Sequence, residues 1–313
     1  MNIPLGNLKG EIYKEVKDKK NRLNVLLLIL FIVFIGVLSG YHKTQSVNWK
    51  EKAENTISEN KKILQNFKNE DKDYYVGIEN EIKLNKYAVR HNIPFVEETT
   101  ALGFVKKNIW MTFFISIIAI VFASNIITKE YRWGTIKFLL IRPYTRINIL
   151  LSKFTTILIF LLLLFIILYL SSWLIGIILY GIEINSYTTL VMYGEEVAEQ
   201  NILINLFTIY FCSFISVLSY CSLTFMISTI FKSNVISIVT SLILALFGGP
   251  LSSTLSQQIS KYSLFFNADR LMHVNLLKEE ITSILIVVSY TILFICISLV
   301  FFNKFSFGGS DYD

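Results

Sequence analysis

The side chains with the most chemical potential lie between Lys129 and Lys153, in the run KEYRWGTIKFLLIRPYTRINILLSK, which separates two long stretches free of Asp, Glu, Lys and Arg. Glu130, Trp133, Gly134, Thr135, Lys137, Pro143, Arg146 and Lys153 are its candidate functional residues. They suit electrostatic docking and the transmission of force rather than bond making. Ile136, Leu139 and Leu140 fall on one helical face after Gly134, Pro143 stops that helix near Ile141, and Thr145 is placed to cap the next helix. A short helix along a membrane surface, a tight turn and a crossing would carry a push into the bundle. Lys137, Arg142 and Arg146 can meet acidic groups of a partner protein or anionic lipid headgroups.

No catalytic constellation accompanies this run. The chain has no GxxxxGK[ST] phosphate loop, no HExxH and no GxSxG, so it carries no usual nucleotide cradle, zincin site or nucleophile elbow. His42, His91 and His273 are isolated, and no metal or catalytic residue is assigned. Any ATPase activity must come from another subunit.

These residues need a membrane frame. The 313 residues are 53% hydrophobic with mean hydropathy +0.55, and a helical crossing needs about 20 apolar residues. Six segments qualify, over 23–40, 108–128, 154–181, 202–231, 233–256 and 281–303, and none holds an acidic or basic residue. The expected class is an all-α integral membrane protein. The first segment is long enough to span, and no small-x-small cleavage pattern follows it, so it is expected to remain. Cys212, Cys221 and Cys296 fall inside spans as small apolar residues. The net charge of +6 follows topology rather than nucleic-acid binding. Six basic residues precede the first span and the 129–153 connector is basic, whereas 182–201 carries only Glu183, Glu195, Glu196 and Glu199. The positive-inside rule puts both termini and the connector in the cytoplasm, and the lysines of 41–107 belong to a loop long enough to escape it.

Along the chain, Leu8, Ile12 and Val16 recur at steps of four, which predicts an amphipathic helix lying on the inner leaflet. In 41–107, Ile57, Leu64 and Phe67 form one stripe and Tyr75, Ile78, Ile82 and Val89 another, split by the polar run 69–73 and closed by Asn92, Ile93 and Pro94. That predicts an external two-helix hairpin, either a spacer or a lid that touches substrate. Ser213, Ser216, Ser219 and Ser222 recur every three residues in the fourth span, as a close-packing stripe or a candidate substrate path. Gly248, Gly249 and Pro250 are expected to break the fifth span, with a re-entrant element or gate following in 257–280. Tyr262, Phe265 and Phe266 are read there as interfacial aromatics. Spans without ionisable groups favour an external energy source over an ion gradient, although neutral oxygens can still hold sodium.

Glu130, Gly134, Thr135, Pro143, Arg146 and Lys153 occur in the order found in the connector of ABC-2 type transporter permeases, which the chain resembles over nearly its whole length, including Glu11 and Lys14 in the basic amino-terminal helix. The resemblance implies type V exporter-like architecture. Residues 1–22 would be a cytoplasmic elbow helix, 41–107 an extracytoplasmic hairpin, 129–153 the coupling-helix connector, 182–201 an external loop and 304–313 a cytoplasmic tail. It further implies a permease subunit in a bacterial cell membrane, paired with a second permease and driven by an ABC subunit that binds ATP and Mg²⁺. The hairpin resembles those of Gram-positive permeases for antimicrobial-peptide or bacitracin resistance, which would make the cargo a peptide, an antibiotic or another amphipathic molecule. A gradient-driven carrier and a non-transporting sensor or scaffold are the alternatives.

Overall fold

The computed structural model describes residues 5–41, 49–66, 72–94, 100–135, 145–181, 188–194, 196–254, 256–273 and 280–304. Among them are six helices long and apolar enough to cross a membrane, so the chain is a largely helical, multi-pass membrane protein. Helix α1 (Leu5–Lys17) bends at Asp18 into α2 (Lys19–Tyr41), the first of these. The second is built from α5 (Ala101–Lys107), a tighter turn over Asn108–Met111, and α6 (Thr112–Arg132). It starts earlier and ends later than hydropathy alone indicates. Helix α7 (Arg146–Tyr180) is capped by Thr145, whose side chain accepts from the Asn148 amide at 3.3 Å, as its sequence position predicts. Residues 133–145 lie between α6 and α7, inside the connector expected over 129–153.

Helices α3 (Trp49–Asn66) and α4 (Lys72–His91) form the expected hairpin. Ala53, Ile78, Ile82 and Ala88 are buried between them, and the Asn60 amide donates to Glu81 Oε2 at 3.0 Å. Asn92 then takes a left-handed φ of 56° and the Ile93 amide returns to the Ala88 carbonyl, which ends α4 just before Pro94. Phe67 and residues 69–71 lie outside the described residues.

The loop expected over 182–201 is instead a β-hairpin from residue 188 onward. Strand β1 (Thr188–Tyr193) pairs antiparallel with β2 (Glu196–Asn201), and Gly194 takes a φ of 59° in the turn. β-Branched and aromatic residues in TTLVMY favour extended backbone. The hairpin rests on α4, where Tyr87 Oη donates to Glu199 Oε1 at 3.1 Å, and Asn201 caps α8 (Ile202–Phe231) directly.

Helix α8 is the axis of the bundle and packs on α6, α7, α9 (Asn234–Ser253), α11 (Leu264–Met272) and α12 (Ile281–Lys304). A single turn, α10 (Gln257–Ser260), joins α9 to α11. α6 and α8 are largely enclosed, whereas α2, α9 and α12 expose rows of Leu, Ile, Val and Phe, the exterior that a hydrocarbon solvent permits.

Gly248, Gly249 and Pro250 do not break the fifth span, because α9 continues through Pro250. The glycines instead admit α11. A Cβ on Gly248 would lie 2.6 Å from the Phe265 ring, and one on Gly249 would lie 3.1 Å from Asp269. Thus α11 folds back among the spans, and its Ala268 carbonyl accepts from Ser216 Oγ at 2.8 Å, halfway along α8. Phe265 and Phe266 are half-buried rather than fully exposed interfacial rings. Cys212 and Cys221 are buried as expected, but Cys296 is exposed on the outer face of α12.

Candidate functional site

Three helices bring charge together at one end of the bundle. On α1, Glu11, Glu15 and the following Asp18 recur at steps of four and three and face inward. The last turn of α6 supplies Lys129 and Glu130, and the third turn of α7 supplies Lys153. Lys153 Nζ donates to Glu11 Oε1 at 3.1 Å, to Glu11 Oε2 at 3.2 Å and to Glu130 Oε1 at 3.5 Å. Lys14 on α1 also donates to Glu130. Beside this, Lys129 Nζ reaches Asp18 at 2.5 Å and Glu15 at 4.0 Å, while the Asn21 amide donates to Glu15 Oε2 at 2.8 Å. Four carboxylates and three ammonium groups thus interlock, with Glu130 and Lys153 each only 3% exposed.

The order of residues after Glu130 has a local physical reason. The Trp133 amide bonds the Lys129 carbonyl, ending α6, and Gly134 takes a left-handed φ of 65°. Only glycine enters that region without steric cost. The reversal returns Thr135, whose hydroxyl donates to the Glu130 carboxylate. Glu130 therefore collects Lys14, Thr135 and Lys153, one contact from each chain segment that meets there.

Charge states follow from these contacts. Burial alone would lower the Lys14 amine, but its hydrogen bond to Glu130 and the charges of Glu130, Glu11 and Glu15 outweigh it and hold the pKa above its ordinary range. The hydrogen bond from Lys129 holds the Asp18 carboxyl below its ordinary range. A buried ion cluster of this kind adds little stability over apolar packing, yet breaking one pair strands a buried charge at about 3–5 kcal/mol. It fixes register. Thr135, Glu130, Lys14 and Lys153 therefore tie the chain just after α6 to α6 itself, α1 and α7.

Of the residues singled out in sequence, Glu130, Thr135 and Lys153 meet here, and Gly134 makes the turn that lets them. Trp133 is exposed. Arg146 lies apart, with Nη1 donating to the Asn303 carbonyl at 3.2 Å and so tying α7 to the end of α12. Lys137 and Pro143, with Ile136, Leu139 and Leu140, lie outside the described residues. Of the stripe Leu8, Ile12 and Val16, the first two are half-buried and Val16 is 61% exposed, while the buried face of α1 is the acidic one. Glu15, Asp18, Asn21 and Lys129 were missed. Their signal was the acidic spacing Glu11, Glu15, Asp18 on one helical face.

Ser213, Ser216, Ser219 and Ser222 are all fully buried. Ser219 and Ser222 bond back to the carbonyls three residues earlier, at 2.7 Å each, and Ser216 bonds α11. All four are enclosed within the bundle. Gly248 and Gly249 likewise serve the docking of α11.

A family model described as "Protein of unknown function (DUF2705)" matches residues 71–306, which takes in Glu130 and Lys153 but not α1. The Bacillus subtilis (strain 168) protein YhcI, itself described as uncharacterized, is 32% identical over 232 residues, 73% of this chain and 73% of its own length.

Proposed function

The chain belongs to the family described as "Protein of unknown function (DUF2705)", and on the geometry of its charged junction we propose that it is the permease subunit of an ATP-driven transporter of ABC-2 type. The observation that carries this reading is the convergence of Glu130, Thr135 and Lys153, three residues of the connector pattern, with Glu11 and Lys14 of the amino-terminal helix. A subunit driven from outside the bilayer needs a surface turn that cannot move without moving the spans on either side. Here the turn after α6 is tied to its own helix end, to α7 and to α1.

In this reading the 133–145 connector docks on a separate ATP-binding subunit in the cytoplasm of a bacterial cell. ATP and Mg²⁺ sit on that subunit, and a second permease chain completes the complex. Nucleotide-driven closure would shift the connector and so bias the bundle between inward- and outward-facing forms. The direction is export, of an antimicrobial peptide, antibiotic or other amphipathic molecule, and the helical hairpin with its β-hairpin support stands on the extracytoplasmic side.

The buried carboxylates Glu11 and Glu130 are the feature a gradient-driven carrier would also use. Glu130, however, lies in the last turn of α6, and both carboxylates are paired with lysine. Intramembrane proton relays need groups along a pathway. Purification of the tagged full chain in mild detergent separates the two readings. A copurifying protein with a GxxxxGK[ST] loop is expected, and cargo movement by the chain reconstituted alone under an ion gradient would overturn the proposal.

A further inference from the structure

The segment from Leu5 to Arg22 sorts its charges by direction. Its three carboxylates, Glu11, Glu15 and Asp18, all turn toward the bundle and are held by Lys153, Lys129 or Asn21. Lys9, Lys17, Lys19, Lys20 and Arg22 are all exposed and make no ion pair among the described residues. The outward face is therefore basic throughout, although the segment's sequence alternates acid and base.

Apolar side chains share that face. Tyr13 and Val16 are both 61% exposed, and Lys17 Nζ stands 4.4 Å from the centre of the Tyr13 ring. Directly beyond Arg22, α2 exposes Leu23, Leu26, Leu27, Leu30, Phe34 and Leu38. At 1.5 Å per residue that band is about 24 Å long, close to the roughly 30 Å of a hydrocarbon core. The basic cluster consequently lies where the apolar exterior ends, at headgroup depth.

We propose that this face binds the headgroups of anionic phospholipids. Its exposed charge is of one sign, which suits phosphate-bearing headgroups without the neutralising choline. An acidic protein would have to cover Tyr13, Val16 and Leu23 as well, whereas a bilayer meets both the apolar side chains and the charges in one surface. The inference rests on the membrane-spanning fold and not on the transporter reading, so either can fail alone.

The test uses the full chain in phosphatidylcholine nanodiscs, with spin-labelled phosphatidylglycerol and spin-labelled phosphatidylcholine as probes of lipid held at the protein boundary. A basic residue near an anionic surface contributes roughly fivefold, so the native chain should favour phosphatidylglycerol at least about fivefold. Combining Lys17→Gln, Lys19→Gln, Lys20→Gln and Arg22→Gln should bring that ratio close to unity, while Lys83→Gln with Lys86→Gln on α4 should leave it unchanged. Screening in about 0.5 M salt should reduce the native preference without any substitution, which decides the matter if the fourfold variant fails to fold. A native chain with no preference, a preference indifferent to salt, or a folded fourfold variant that keeps it would each overturn the proposal.

Discussion

Replacing Lys153 by Met keeps the length of the side chain and removes the charge that both oxygens of Glu11 share at 3.1 and 3.2 Å. Glu130 keeps Lys14 and Thr135, so the loss falls chiefly on Glu11, which is 6% exposed and stays buried unless α1 moves. Stranding one member of a buried pair costs about 3–5 kcal/mol. The cheapest escape is for α1 to lift away, because its outward face already suits lipid. Lys17, Lys19 and Lys20 are exposed, but a protease needs extended backbone around them, so tryptic cleavage in detergent follows the unwinding of α1 once it has lifted. Where opening is fast compared with cleavage, the rate follows the open population, and Lys153→Met should raise it about a hundredfold to several thousandfold. Adding Glu11→Leu removes the stranded carboxylate, so the double variant should return to within about tenfold of native, a coupling of roughly 2 kcal/mol or more between the two sites. A single variant cleaved within about threefold of native would refute the reasoning. So would a double variant cleaved as fast as the single.

Gly248→Ala should loosen α11, since its Cβ would lie 2.6 Å from the Phe265 ring; a loss of about 1–3 kcal/mol in SDS-induced unfolding is expected, and an unchanged midpoint would mean that α11 is not wedged there. At Gly134, with its φ of 65°, Val should cost about 1–2 kcal/mol while Asn, which tolerates that region, should cost less, as read from thermal unfolding of the purified chain. The acid limb of stability should depend on Asp18: its carboxyl is held below the ordinary 3.8 by Lys129, so this contribution is complete above that value and is lost as pH falls through the lowered one. Asp18→Asn should flatten that limb below 3.8, and the mirror contribution of Lys14, raised above 10.5, should be complete below 10.5 and lost as pH rises through its raised value. In a chain lacking the three native cysteines, an impermeant thiol reagent applied to intact cells should label a cysteine at Lys62 or Glu196 but not at Lys20, and labelling at Lys20 would reverse the proposed orientation.

The spans were legible because apolar runs of this length have one cheap solution in hydrocarbon, and the Thr145 cap and the Asn92–Pro94 stop because their geometry is local. The hairpin of β1 and β2 was hidden by its acidic residues, which marked it as loop although TTLVMY and Gly194 carried the extended pattern. Gly248 and Gly249 were read for what glycine does to its own helix, yet their use is to let Phe265 and Asp269 approach from another. The junction was half legible. Glu130 and Lys153 stood out as charges beside apolar runs, but that the acidic face of α1 turns inward depended on its partners on α6 and α7.

If a separate ATPase meets the turn after α6, Trp133, 63% exposed at that turn, is the position that should touch it. A photoreactive phenylalanine analogue placed there in the full chain, irradiated in native membranes and identified by mass spectrometry, reports what the turn touches. An adduct with a protein that carries a GxxxxGK[ST] loop is expected, its yield changed by a non-hydrolysable ATP analogue. Adducts with lipid alone, or with a protein that lacks a nucleotide site, would contradict it.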